Sequence, residues 1–152
     1  MENPLLELQE YENLQEALKK AKGPVQATGT LDSQKVHLMY WLGKDGGFPW
    51  KLVVTYDDQR AREIYEDFRS FTENVWLYPA KDLLFYSADI HGNLMTRQRI
   101  AVWRHLMEEK EGVVVTTLDG LMDHLLPLVF LKQQAVTVEN GQIAAVIIGD
   151  EA

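Results

Sequence analysis

The sequence has no cysteine, which excludes both a disulfide framework and a thiolate metal site. It has no apolar run close to the roughly 20 residues that a membrane-spanning helix needs. Residues Met1 to Pro4 carry an acid where a secretory signal peptide has a basic stretch, which predicts a cytoplasmic protein. Positive charge is scarce as well. With 15 basic against 23 acidic side chains the net charge is -8, so a free-standing nucleic-acid binder is not expected.

The composition is that of one ordinary globular domain. The 152 residues are 46% hydrophobic and 25% charged, and this length allows a real core to be buried. The sequence lacks two common hydrolase features, a Gly-x-Ser-x-Gly elbow and a cysteine nucleophile. The histidines are far apart and form no His-x-x-x-His pair, so no metal site is expected; they are His37, His91, His105 and His124.

Apolar periodicity predicts helices that alternate with strands. The predicted helices carry Leu5, Leu8, Tyr11, Leu14 and Leu18; Val36 to Leu42; Ala61, Ile64, Tyr65, Phe68 and Phe71; Leu94, Ile100, Trp103 and Met107; and Leu118 to Leu126. Asp57 or Asp58 is expected to cap the third helix, and Thr117 the last. The predicted strands are Val25 to Thr28, Leu52 to Thr55, Val75 to Tyr78 and Val113 to Thr116. The second strand is apolar enough to be covered on both faces.

Strands joined through helices need crossover connections, which predict a parallel sheet. The expected fold class is α/β, a three-layer sandwich with a mainly parallel sheet of the P-loop NTPase type found in helicases. Near the end, Asn140-Gly141 lies between two apolar runs and predicts a C-terminal β-hairpin. We expect an α/β domain over residues 1–134 and this hairpin over 135–152, as the start or remnant of a following domain.

The turn after the first predicted strand is where such a sheet binds phosphate. A phosphate loop has the pattern G-x-x-x-x-G-K-[ST], in which backbone N–H groups surround the phosphates and lysine neutralises them. Here Gln26 and Leu31 replace the glycines and Asp32 replaces the lysine, while Ser33 is retained. The sequence therefore predicts a vestigial nucleotide loop with no bound cofactor, made of Gln26, Thr28, Gly29, Thr30, Leu31, Asp32 and Ser33. A simpler interpretation is that Asp32 or Ser33 merely caps the helix.

A series of short motifs runs in a characteristic order along nearly the whole chain. They are Pro24 to Gly29, Leu52 to Thr55 with Asp57-Asp58-Gln59, Glu63 to Phe68, Leu77 to Tyr86, Arg97 to Ile100, Val113 to Thr117, and Val138 to Gln142. In this order they resemble the amino-terminal, UvrB-like module of bacterial transcription-repair coupling factors, and more distantly the first domain of the excision-repair protein UvrB. The stretch after Gln142 departs from the family.

The resemblance implies a role in DNA repair, namely transcription-coupled nucleotide excision repair of DNA damage. In UvrB the corresponding loop looks like a true phosphate loop, whereas in coupling factors it looks degenerate, as it does here. The whole family protein is an ATP-dependent DNA translocase that dislodges a stalled RNA polymerase and recruits UvrA through domains that follow this segment. The implied partners are those other domains, with UvrA, RNA polymerase and DNA engaged only in the intact protein.

Two sets of residues are candidates for a partner surface. The first set flanks the long connection predicted over 79–93 and consists of Phe85, Tyr86, His91, Arg97 and Arg99. The second is an arginine patch for phosphate contacts, made of Arg60, Arg62, Arg69, Arg97, Arg99 and Arg104. Each arginine has acidic neighbours, so a solvated face of ion pairs is the favoured interpretation of this patch.

Taken together, the sequence predicts a non-catalytic scaffold and interaction domain. Two alternatives remain open, an active ATPase or helicase fragment and a stand-alone repair adaptor. A receiver domain of a two-component system also has paired acids such as Asp57-Asp58. A receiver needs an acceptor aspartate after a later strand, however, and Val75 to Tyr78 runs into Pro79 instead.

Overall fold

A computed structural model describes the backbone of residues 2–80 and 89–122, and their side chains except those at positions 33 and 89–96. A 3-10 turn, Pro4–Glu7, precedes helix α1, Gln9–Lys20. The remaining elements are α2 Asp32–Asp45, β1 Trp50–Thr55, α3 Asp58–Arg69, β2 Val75–Tyr78, α4 Asp89–Glu108, β3 Gly112–Thr117 and α5 Leu118–Met122. Among the described helices, none has the length and apolar character needed to cross a lipid bilayer.

The three strands of the described chain form one parallel sheet in the order β1-β3-β2. Trp50 lies opposite Gly112 and Thr55 opposite Thr117, while Val75 lies opposite Val113. The predicted α/β class and the parallel sheet are confirmed. The predicted hairpin and the domain boundary at residue 134 lie outside the described residues.

Helices pack on both faces of this sheet. On one face Val36 of α2 and Ala61, Ile64 and Phe68 of α3 pack against the strands at Val75, Val113 and Val115. On the other face Val102 of α4 packs with Tyr78 and Val114, flanked by Trp50, Trp76, Trp103 and Leu106. Because β3 is the central strand, all six of its residues are buried.

The ends of α3 and α5 follow the predicted capping chemistry. The Asp57 carboxylate accepts a hydrogen bond from the Arg60 backbone N–H at 2.6 Å, so Asp57 is the residue that caps α3. The Thr117 hydroxyl accepts one from the Gly120 backbone N–H at 3.1 Å at the start of α5. The predicted end of that helix, at Leu126, lies outside the described residues.

The predicted strand Val25 to Thr28 is wrong. Residues 24–28 have no regular secondary structure, and of these only Val25 is partly buried. The physical reason is that Val25 is the sole large apolar side chain in the segment. Pro24 beside it has no N–H to donate to a ladder. The fold therefore enters α2 from a coil, whereas a phosphate loop follows a strand.

Three further predictions need correction. Strand β1 is not covered on both faces, because Leu52 is 58% exposed and Val54 44% exposed. Ile100 does not point inward in α4: it is 41% exposed, and Val102 is the buried residue. The connection predicted over 79–93 is shorter, since α4 begins at Asp89.

Candidate functional site

The turn before α2 lies at the carboxyl edge of the sheet. Arg60 stands near the start of α3, just after β1, and its Nη2 atom is 3.4 Å from Oδ1 of Asp32 in the first turn of α2. The two helix starts are therefore neighbours. In open α/β sheets this edge is where ligands bind, so the turn is the place to test for a nucleotide site.

The backbone of this turn has one position that demands glycine. Gly29 has a φ of 82°, in the left-handed region that favours glycine. Gln26 and Thr28 are exposed, Thr30 is partly buried, and Leu31 is 66% exposed. The side chains of Gln26 and Leu31, which stand at the glycine positions of the phosphate-loop pattern, are thus exposed at the turn.

The start of α2 is not capped by Asp32, which corrects the simpler interpretation of this residue. The N-cap is Leu31, whose backbone N–H donates to the side-chain oxygen of Gln34 at 3.4 Å. The backbone N–H groups of Gln34 and Lys35 both donate to the Leu31 carbonyl, at 2.9 and 3.2 Å. Asp32 is the first residue inside the helix. The Ser33 side chain lies outside the description.

Asp32 is held by two cations. Its Oδ1 lies 2.6 Å from Nζ of Lys35 and 3.4 Å from Nη2 of Arg60. The hydrogen bond from Lys35, followed by the charges of Lys35 and Arg60, lowers the pKa of the Asp32 carboxyl. Arg60 also contacts Glu63 at 2.9 Å, and this hydrogen bond lowers the pKa of Glu63. Two acids and two bases thus form a network without net charge.

The hydroxyls at the carboxyl end of β3 are used within the fold. Thr116 is fully buried, and its Oγ1 donates to the Tyr78 carbonyl at 2.8 Å. Gly120 packs so closely that a Cβ atom there would lie 2.5 Å from this Oγ1. Thr117 is engaged in capping α5. Both side chains serve to hold β2, β3 and α5 together at this edge.

Arg99 is buried and does not belong to an exposed partner surface, which corrects its assignment from sequence. It is 7% exposed, its Nη1 donates to the Pro79 carbonyl at 3.0 Å, and its guanidinium carbon lies 4.4 Å from the centre of the Tyr78 ring. The helical spacing of Arg99, Val102 and Leu106 places all three on the core face of α4, a signal that was present in the sequence. Arg97 is exposed. Phe85, Tyr86 and the His91 side chain lie outside the description.

Three of the six arginines in the predicted patch form ion pairs with acidic neighbours, which agrees with the interpretation favoured from the sequence. Arg60 contacts Glu63 at 2.9 Å, Arg69 contacts Glu66 at 3.7 Å, and Arg104 contacts Glu108 at 3.6 Å. Such pairs near the surface contribute little stability but reduce the positive field that DNA would meet.

The described histidines serve in aromatic packing. His37 accepts a hydrogen bond from the Trp41 indole at 2.9 Å and stacks on Phe71, whereas His105 stacks on Trp76 with ring centres 4.6 Å apart. Within residues 2–80 and 89–122 no group of three or more His, Asp or Glu side chains has the arrangement of a metal site.

Two cavities in the described part of the chain, each of about 300 Å³, are lined by residues outside the turn 26–33. The first lies at the amino edge of the sheet, beside Tyr40, Lys44, Phe48, Lys51 and Glu111. The second lies between α4 and β1 and is almost wholly apolar.

Comparisons of this chain with protein-family models, curated proteins and solved structures found no match. The resemblance to transcription-repair coupling factors therefore stays a prediction from the sequence.

Proposed function

We propose that this chain is a non-catalytic scaffold and interaction domain of a transcription-repair coupling factor, acting in transcription-coupled nucleotide excision repair. The observation that carries this proposal is the ion-paired Asp32 at the start of α2, where a phosphate loop has its lysine. The parallel α/β sheet and the glycine-poor turn support it.

A nucleotide would meet a carboxylate at this turn, at the position where a phosphate loop has its lysine. The Asp32 carboxylate would face the triphosphate, and one pair of unit charges at 4 Å interacts by roughly 1 kcal/mol in water and about 4 kcal/mol near a protein surface. Lys35 and Arg60 already neutralise Asp32 and Glu63. The backbone N–H groups of Gln34 and Lys35 already have an acceptor in Leu31.

In this proposal the partners are the other domains of the coupling factor, in the cytoplasm. UvrA and RNA polymerase are engaged through neighbouring domains, and DNA only by the intact protein. The net charge of -8 and the acid-paired arginines support the expectation that the isolated chain binds duplex DNA weakly or not at all.

Titration with a fluorescent ATP analogue in the presence of magnesium tests the proposal against an active ATPase. We expect no saturable binding at micromolar concentration. The triple variant Gln26→Gly, Leu31→Gly, Asp32→Lys is expected to gain triphosphate affinity without hydrolysis, because it restores both glycines and the cation. Asp58→Lys is the matched control, since it makes the same change of charge at the start of α3, outside the turn. Saturable micromolar binding by the unaltered chain would favour the ATPase instead.

A pull-down with UvrA as bait tests the family assignment. The chain extended by the domain expected to follow it should retain UvrA, whereas the present chain alone should not. Failure of the extended chain to retain UvrA would contradict the assignment. Retention by the present chain alone would favour a stand-alone adaptor.

A further inference from the structure

The cleft at the amino edge of the sheet lies at the opposite edge from the turn before α2. Its volume of about 300 Å³ is at the lower end of the roughly 300–1,000 Å³ that small-molecule sites occupy. Backbone groups that line it are already hydrogen-bonded: the Gly112 N–H donates to the Pro49 carbonyl at 2.8 Å, and the Val113 N–H to the Asn74 carbonyl at 2.9 Å. A ligand in this cleft would therefore be recognised mainly by side chains.

Two lysines line the cleft, and both are held by neutral groups. Nζ of Lys44 lies 5.0 Å from the centre of the Trp41 ring and 5.7 Å from that of Tyr40. The half-buried Lys51 lies across Gly43, where a Cβ atom would come within 2.6 Å of its Cε. Within residues 2–80 and 89–122, neither ammonium group forms an ion pair with a carboxylate. Both cations are thus available to an anionic ligand.

The charge and the donors at the cleft suit a single carboxylate. Glu111 also lines it, so two positive side chains stand against one negative one, whereas the whole chain has a net charge of -8. A polyanion that extended beyond the cleft would be repelled by that overall charge. The Thr72 hydroxyl accepts from the Asn74 backbone N–H at 3.1 Å, which leaves its own proton to donate. The Asn74 side-chain amide adds N–H donors at the same wall.

The apolar part of the lining is aromatic. The Tyr40 ring stacks on Phe71 with ring centres 5.2 Å apart, which fixes its orientation. The Phe48 ring is 56% exposed but lies over Gly46, where a Cβ atom would come 2.5 Å from Cε2 of Phe48. Exposed, oriented aromatic side chains of this kind offer a surface on which a flat ring can stack.

We propose that this cleft binds a small aromatic carboxylate, whose carboxylate contacts Lys44 and Lys51 and whose ring packs on Tyr40 and Phe48. An inorganic anion would use only the lysines, and a neutral ring only the aromatic side chains. The combination of one negative charge with one flat ring is therefore what the cleft selects. The site is separate from the turn at Asp32 and does not depend on the proposed role in repair.

Titration of the full chain with cinnamate, followed by amide chemical shifts in NMR spectra, tests this proposal. We expect saturable shifts at residues 43–51 and 72–74, with a dissociation constant of about 1 mM or below, as is usual for ligands of this size. Cinnamamide has the same shape without the charge, and inorganic phosphate has charge without a ring. Each should bind about tenfold more weakly than cinnamate, or weaker still.

Two substitutions test the role of the lysines. Lys44→Met and Lys51→Met keep most of the side-chain volume and remove the charge. Each should raise the dissociation constant of cinnamate about fivefold, the scale of an ion pair near the surface, and leave that of cinnamamide unchanged. Lys19→Met is the matched control, because it makes the same change on α1, outside the lining of the cleft. It should leave cinnamate binding unchanged.

Each other outcome overturns the proposal. Equal affinity for cinnamate and cinnamamide would mean that the cleft does not recognise charge. Equal affinity for phosphate and cinnamate would mean that the ring is not recognised. Shifts confined to residues that line the second cavity, such as Trp103 and Leu106, would place the ligand elsewhere. No saturable shift up to about 10 mM, tenfold above the expected constant, would exclude the site. The comparison of probes uses the unaltered chain, so it decides the question even if a methionine variant does not fold.

Discussion

Helices α1 and α3 are both twelve residues long and both amphipathic, but they are attached to the rest of the molecule in different ways. Helix α3 buries Ala61, Ile64 and Phe68 in the main core. Helix α1 buries only Tyr11, and Leu18 near its end is 42% exposed. The same periodicity therefore predicts a helix and its apolar face, but not how much of that face will find a partner.

Hydrogen bonds to one carboxylate oxygen take the place of apolar packing for α1. Oδ2 of Asp45, at the end of α2, accepts from the Asn3 amide at 2.6 Å, the Tyr11 hydroxyl at 2.8 Å and the Gln15 amide at 3.2 Å. A carboxylate at a helix C-terminus is unfavourable to the helix dipole, and these donors offset that cost. The comparison shows that hydrogen bonds to one carboxylate, that of Asp45, can position a helix that buries few apolar side chains.

The largest effect is expected from Phe68→Ala, which removes a ring that is 1% exposed. It should lower the free energy of unfolding by about 3–5 kcal/mol, through lost burial and the remaining cavity. Urea unfolding measures this. Leu18→Ala on α1 is the matched change and should stay within about 0.5 kcal/mol. Equal losses in the free energy of unfolding would mean that the two helices do not differ in how strongly they are held to the core.

Asp45→Ala should release α1 and leave the sheet intact. The substitution leaves the hydroxyl of the buried Tyr11 without its acceptor, at a cost of about 1–3 kcal/mol. Amide hydrogen exchange should speed up over residues 9–20 but remain unchanged in β3. Asp45→Asn keeps one acceptor oxygen and should have a smaller effect. Faster exchange throughout the sheet would show that α1 and the core unfold as one unit.

The same contact predicts a loss of stability at high pH. Burial, followed by the hydrogen bond with Asp45, raises the pKa of Tyr11 to about 12 from an ordinary 10.0. Because the folded pKa is the higher one, this stabilisation is complete below pH 10.0 and is lost as the pH rises towards 12. Urea midpoints across this window should fall more steeply for the unaltered chain than for Tyr11→Phe. Parallel slopes would mean that Tyr11 ionises as in the unfolded chain.

Removing a helix cap should have a smaller effect on stability than these changes. Asp57→Ala should destabilise α3 by about 1 kcal/mol, because the Arg60 N–H loses its acceptor. Urea unfolding measures the loss. Asp57→Asn preserves an acceptor and should restore most of it. A full loss in the asparagine variant would assign the effect to charge instead of capping.

The smallest expected effect is a gain in the stability of the first turn of α1. Leu8 is the N-cap of α1, makes no side-chain cap hydrogen bond and is 49% exposed. Leu8→Ser should therefore slow amide exchange in the first turn of α1, by a stabilisation of about 0.5–1 kcal/mol. Unchanged exchange would indicate that Leu8 has packing that balances the new cap.

Local chemistry made much of the fold predictable from sequence. The sequence predicted a cap at Asp57 or Asp58, one at Thr117, and an inward face of Ala61, Ile64, Tyr65, Phe68 and Phe71. The structure selects Asp57, confirms Thr117, and buries Ala61, Ile64 and Phe68 fully with Tyr65 and Phe71 partly buried beside them. At the candidate site, the sequence shows that Gln26, Leu31 and Asp32 do not fit the phosphate-loop pattern. It does not show the contact of Asp32 with Arg60, because these residues are 28 positions apart.

The sequence by itself determined the order of α2 to α5 and β1 to β3 along the chain, though not all of their bounds, and that the acid Asp32 stands at the start of α2. Tertiary structure alone decided which strand is central, and so why β3 is buried while Leu52 of β1 is exposed. The physical reason is range: capping and periodicity act within a few residues, whereas burial and strand pairing depend on what the rest of the chain brings alongside.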